Sequence, residues 1–281
     1  MFYISLPYFY SNYKFNNFFK DYIEKSHSSK NSKLIAKFNI EYFHGAFPWS
    51  LWNGGVNSHS GKAVLVPEME LLFQNTLAPI RIDASNINLQ PIDYLDLHEN
   101  AVLKAMNGTN SVYEISLLDI VNHLQNSNLN NKYIISNNAQ LIHPFDPDIL
   151  EAFYQEESIC LVNLGYRPIF NLSDITDKTK LEISIGHCDN CSLELYSQCI
   201  INENTNIYNY SGESCFINCC HENKITNYYE AILPYYKQGI THFKIMTNCK
   251  DLNEFNINII KSFVKPEYVG ECIDEYYRAI Q

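Results

Sequence analysis

The sequence is short of positive charge. Twenty Lys and Arg stand against 31 Asp and Glu, a formal net charge of −11, so no extended nucleic-acid-binding face is expected. Long apolar runs are missing too, and with them any candidate membrane span. The opening stretch, MFYISLPYFYSNYKF, has no basic leader and no small-residue cleavage site. No signal peptide is expected, and the expected location is the cytoplasm. No Gly-rich phosphate loop follows an apolar run, and there is no GxSxG elbow, HExxH helix or Walker loop. The common nucleotide-binding, hydrolase and kinase patterns are thereby excluded.

What is present is an ordinary globular composition, 46% hydrophobic and 18% charged over 281 residues, long enough to bury a large core. Apolar runs bounded by turn signals predict strands at 2–6, 36–43, 80–84, 111–115, 133–136, 159–164, 181–185 and 242–246. Several read as apolar on both faces, as buried parallel strands do. Helical stripes lie between them: Phe15, Phe18, Phe19, Tyr22 and Ile23; Leu117, Val121 and Leu124; Leu150, Phe153 and Tyr154 after Asp146-Pro147; and Tyr229, Ile232, Leu233 and Tyr236 before Gly239. Eight strands alternating with helices point to an α/β fold, a (βα)8 TIM-like barrel forming one domain over 1–281. An open doubly wound sheet would give a similar alternation. Residues 45–68 form a long connection before their helix, and 189–223 form a cysteine-bearing insertion after the seventh strand.

That insertion holds the sharpest chemical signal. Cys188, Cys191 and Cys199 follow C-x2-C-x7-C spacing, and Cys215, Cys219 and Cys220 come soon after. In a reducing compartment such thiols are poor disulfide candidates, and soft thiolates select iron–sulfur clusters or zinc. A closed set of four would suit structural zinc; a set opening on the barrel mouth would suit a cluster. His221 is a further candidate zinc ligand beside Cys220. Cys160, Cys249 and Cys272 are isolated in strand or helix patterns and read as packing residues.

Polar residues at strand C-termini converge on one pocket in a barrel. Here they are His44, Asp83 with Ser85 and Asn86, Glu114 with Ser116, Ser136 with Asn137, Asn163, His187 and Lys244. Asp83 or Glu114 is a candidate general base, His187 a candidate proton shuttle, and Lys244 a candidate holder of an anionic group. The plainer reading of each is a helix cap or a hydrogen-bonded loop residue. The loop Phe47-Pro48-Trp49-Ser50-Leu51-Trp52-Asn53-Gly54-Gly55 carries both tryptophans, suited to stacking on a planar substrate, to covering the mouth, or to plugging the core.

The run 180–199, the segment Thr241-His242-Phe243-Lys244-Ile245, and the stretches PIRIDASN, KYIISNNAQL and HGAFPWSLWNGG resemble the U32 peptidase family over most of the chain. Met246-Thr247-Asn248 stands where that family commonly carries Glu-Gly-Arg. The resemblance implies a barrel holding a [4Fe-4S] cluster on Cys188, Cys191 and Cys199, with the fourth ligand open among Cys215, Cys219 and Cys220. It implies redox or hydroxylation-type chemistry on a small or planar substrate such as a nucleobase or quinone precursor, served by an electron donor, or else peptidase action on a peptide. From another class comes the expectation of a non-catalytic, metal-stabilised barrel acting as a binding or accessory subunit.

Overall fold

The structure is a computed structural model and describes residues 1–45, 66–83, 106, 109–116, 132–136, 153–165, 172, 175–186, 227–247 and 251–280. Within these, eight strands close into one parallel barrel in sequence order: β1 (Phe2–Leu6), β2 (Phe38–Gly45), β3 (Ile80–Asp83), β4 (Val112–Ser116), β5 (Tyr133–Ser136), β6 (Ile159–Asn163), β7 (Leu181–Ile185) and β8 (His242–Ile245). The described helices are α1 (Tyr13–Ser28), α2 (Val66–Asn75), α3 (Tyr228–Lys237), α4 (Leu252–Phe263) and α5 (Val269–Ile280). The α/β barrel is therefore what the strand count predicted. The predicted helices around Leu117–Val121–Leu124 and after Asp146-Pro147 fall mostly outside the described residues, as do the tryptophan loop and the cysteine insertion. None of the described helices is long and apolar enough to cross a membrane.

The expectation of strands apolar on both faces holds for some, as in β5, where Tyr133, Ile134 and Ile135 are all buried; others alternate apolar with polar residues. Phe2, Ile4 and Leu6 of β1, Ile80 and Ile82 of β3, and Leu181, Ile183 and Ile185 of β7 all belong to the main core, as do Phe15, Phe19 and Ile23 of α1. This is the layer between sheet and helices, where the hydrophobic effect holds the barrel's outer wall. The residues between them, Ser5, Arg81, Asp83, Glu182 and Ser184, are buried and polar. In a separate small apolar cluster of Tyr42, Val112, Ile134 and Leu161, Tyr42, Val112 and Leu161 stand two residues before His44, Glu114 and Asn163. Since side chains two apart share a face, this cluster floors a polar lumen that rises toward the strands' C-terminal ends.

The helices are bounded by local chemistry. Asn227 caps α3 by accepting from Glu230 N–H, and Asp251 caps α4 by accepting from Asn253 and Glu254 N–H. Gly239, at φ +94°, ends α3 while Ile240 N–H returns to Tyr235 O at 3.2 Å, a Schellman-type stop. Helices α4 and α5, which the apolar-run reading does not single out, are tied to α1 through Asn256. That side chain bonds Asn12 and the Tyr276 hydroxyl.

Gly186 positions what comes after β7. Its φ is +143°, and a Cβ there would sit inside the van der Waals shell of Met246 O, next to the Met246 N–H to Ile185 O bond of 2.7 Å. Gly186→Ala is expected to destabilise the protein by about 2–4 kcal/mol, since left-handed strain and a backbone clash add. Urea denaturation reads this directly, and a loss under about 1 kcal/mol would contradict the close approach.

Candidate active site

The lumen is crossed by ion pairs. Arg81 on β3 donates from Nε to Glu114 Oε2 at 2.9 Å, and from Nη1 to both oxygens of Glu182 on β7 at 2.7 Å. Lys244 on β8 donates to both oxygens of Glu114 on β4, at 2.7 and 2.6 Å. In a ring of eight strands, β3 lies opposite β7 and β4 opposite β8, so both bridges span the diameter. The Glu182 carboxylate also accepts from Asn163 Nδ2 at 2.6 Å and from Ser5 Oγ at 3.4 Å. Asn163 Oδ1 in turn accepts from Ser184 Oγ and Gly165 N–H. Arg81 and Glu182 are wholly shielded from solvent and Glu114 and Lys244 nearly so, at 1% and 3% exposed.

Strand geometry accounts for this convergence. Each charged residue stands between two apolar ones in its strand, as in Ile80-Arg81-Ile82 and Leu181-Glu182-Ile183. Burying the apolar pair against the helices forces the middle side chain inward. Alone, any of these charges would be prohibitively expensive in the interior. Together they neutralise one another and satisfy most of each other's hydrogen-bonding groups.

The electrostatics follow. Burial opposes the ionised form of Glu114, but the Arg81 and Lys244 charges outweigh it and hold the carboxyl well below the usual carboxylate range. Burial likewise opposes the charge on Arg81, and Glu114 and Glu182 more than restore it, leaving its pKa above the ordinary value. His44, register partner of Arg81, sends Nε2 to Ile245 O at 2.8 Å. Burial first, then the nearby Lys244 and Arg81 charges, push its pKa well below 6.5.

That shift makes stability pH-dependent with a definite sign. Above pH 6.5 His44 is neutral in both folded and unfolded chains. Below it the unfolded chain takes up a proton that the folded protein refuses, so stability falls by up to about 1.4 kcal/mol per pH unit. Glu114 adds a further loss below its ordinary 4.5, where the unfolded carboxylate protonates first. Urea unfolding of His44→Gln is expected to show a shallower pH dependence between 6.5 and 5 than the parent. Parallel curves would contradict the buried neutral imidazole.

Of the predicted site residues, the structure brings Glu114 and Lys244 together and sets Asp83, buried at the end of β3, beside Glu114 in register. His44 and Asn163 also face this lumen. Lys244 was expected to hold an anionic group, and the one it holds here is the protein's own Glu114. His187, Cys188, Cys191, Cys199, Cys215, Cys219 and Cys220 lie outside the described residues. Among the described residues no group of three or more His, Cys, Asp and Glu is placed to hold a metal. Arg81 and Glu182, the hubs of the network, were not named by the sequence reading. Their signal was a charged residue embedded in an apolar strand. No family model, curated protein or solved structure matches the chain.

Proposed function

We propose that the chain is a U32-like barrel enzyme, with a cysteine-ligated iron–sulfur cluster at the barrel mouth and redox or hydroxylation-type chemistry on a small or planar substrate. The observation that carries an enzymatic reading is the charged lumen. Barrel interiors are ordinarily filled with Val, Ile and Leu, and ion pairs in their place are no more stabilising and often less so. Their presence across the barrel interior points to work done there.

Support for the cluster comes from donor chemistry and chain order. The C-terminal end of β7 is Ile185, three residues before Cys188 in sequence. The cluster would be held by Cys188, Cys191 and Cys199 with one of Cys215, Cys219 and Cys220, and would supply electrons. The described cysteines do not compete for that role: burial pushes the thiols of Cys160 and Cys272 upward, toward the protonated form that binds metals poorly. A substrate entering the mouth would meet Asp83 and Glu114, register partners on β3 and β4. Glu114 acts there as a permanent anion that positions Lys244 and Arg81, since its low pKa makes it a weak base.

A second reading, a non-catalytic barrel stabilised by zinc or a cluster and serving as a binding or accessory subunit, is favoured by the same network's mutual charge balance. Peptidase action ranks last, since the described residues offer no activated nucleophile. Anaerobic purification discriminates. The expected product is brown, contains iron and inorganic sulfide, and bleaches on reduction. Colourless protein carrying zinc would favour the second reading, and metal-free protein would end both.

A further inference from the structure

Arg81 spends two of its three nitrogens on Glu114 and Glu182; the third, Nη2, is buried without a hydrogen-bond partner. Because the other two nitrogens bind carboxylates in the lumen, Nη2 is in the lumen as well. Its two N–H groups are donors in a low-dielectric interior, where each unmade bond is costly. The register partner of Arg81 on the neighbouring strand is His44, a buried residue. A carbonyl oxygen can only accept, so the 2.8 Å contact of His44 Nε2 with Ile245 O puts the ring proton on Nε2 and leaves Nδ1 as an acceptor. A buried unpartnered donor on β3 and a ring nitrogen able to accept on β2 thus belong to residues paired in register on adjacent strands.

We propose that this pair is a binding site for a small neutral amide-type group, whose carbonyl oxygen accepts from Arg81 Nη2 and whose N–H donates to His44 Nδ1. Neutrality follows from charge counting. Arg81 and Lys244 are balanced by Glu114 and Glu182, and Asp83 on the same inner face adds negative charge, not positive. Among the described residues of the lumen no cation is left to balance an entering carboxylate or phosphate, which would then meet a prohibitive desolvation cost. This deepens the reading of the lumen as the working end of the barrel and is independent of the cysteine cluster.

The probes are acetamide and acetate, which match in shape and differ in charge. Besides Arg81 the chain has only Arg167 and Arg278, so 15N-arginine labelling with Arg167→Lys and Arg278→Lys controls assigns the Arg81 Nη2 resonance. Acetamide is expected to shift it saturably, with acetate at least about tenfold weaker at equal ionic strength. His44→Phe, which keeps the ring volume and removes the acceptor, is expected to weaken acetamide by about tenfold. Acetate binding as tightly as acetamide, no response to acetamide, or an unchanged affinity in His44→Phe would each overturn the proposal. The readout does not involve metal, so iron-free protein that still takes acetamide refutes the cluster and leaves this site standing.

Discussion

Arg81→Met should cost about 4 kcal/mol or more, a large share of the 5–15 kcal/mol that holds a typical domain together. The reason is the asymmetry between making and breaking a buried ion pair. Arg81 serves two carboxylates, and its loss is not shared equally between them. Glu114 keeps Lys244, at 2.7 and 2.6 Å. Among the described residues Glu182 keeps the neutral donors Asn163 and Ser5 and no cation, and a carboxylate with no cation is what the interior penalises most. Two rankings follow. Lys244→Met should be milder than Arg81→Met, because Glu114 then retains Arg81. Adding Glu182→Gln to Arg81→Met should recover more than half the loss, because the stranded charge goes with it. Urea denaturation of the three variants checks both. If the double variant were less stable than Arg81→Met alone, the cross-barrel bridge would not be the source of the effect.

The network's price in stability bears on what it is for. Two diametric ties, Arg81 to Glu182 and Lys244 to Glu114, link opposite walls of the barrel, and the ties are directional where hydrocarbon packing is not. They fix polar groups in position inside the barrel. A barrel plugged with Leu and Ile would have the same outer wall, made by Phe2, Ile80, Leu181 and their neighbours, and no such floor for chemistry.

The outer wall was legible in the sequence because its cause is local. Runs such as Phe2-Tyr3-Ile4-Ser5-Leu6 and Leu181-Glu182-Ile183-Ser184-Ile185 announce strands by composition alone, and the stripe from Phe15 to Ile23 announces α1. Three of the eight strands carry the predicted bounds, and the rest differ by one or two residues. The lumen was less legible because its cause is distant. Arg81 and Glu182 are 101 residues apart, and nothing near either one names the other. A charged residue between two apolar ones in its strand, Arg81 in β3 and Glu182 in β7, was the local sign of the inward face. Glu114 and Lys244 were found by their position at strand ends, but the pairing of one with the other, 130 residues away, depends on barrel closure and the register it imposes.

Replacing Cys191 with Ser is expected to strip the protein of metal, whereas Cys272→Ser should leave metal content unchanged. The contrast tests the division of the cysteines into two kinds. Cys272 is fully buried on α5, and burial, reinforced by Glu275, pushes its thiol up to about 12. Such a group is a small apolar filler with a weak donor, and changing sulfur for oxygen should cost no more than about 1–2 kcal/mol. Cys191 belongs to the C-x2-C pair proposed to hold the metal, and loss of one thiolate from such a four-ligand set would remove both a bond and the geometry that makes the others converge. Iron, sulfide and zinc are measured on anaerobically prepared parent and variants at equal protein concentration, with urea denaturation alongside to separate loss of metal from loss of fold. A Cys191→Ser protein that keeps its metal, or a Cys272→Ser protein that loses as much, would remove the ground for placing an inorganic centre after β7.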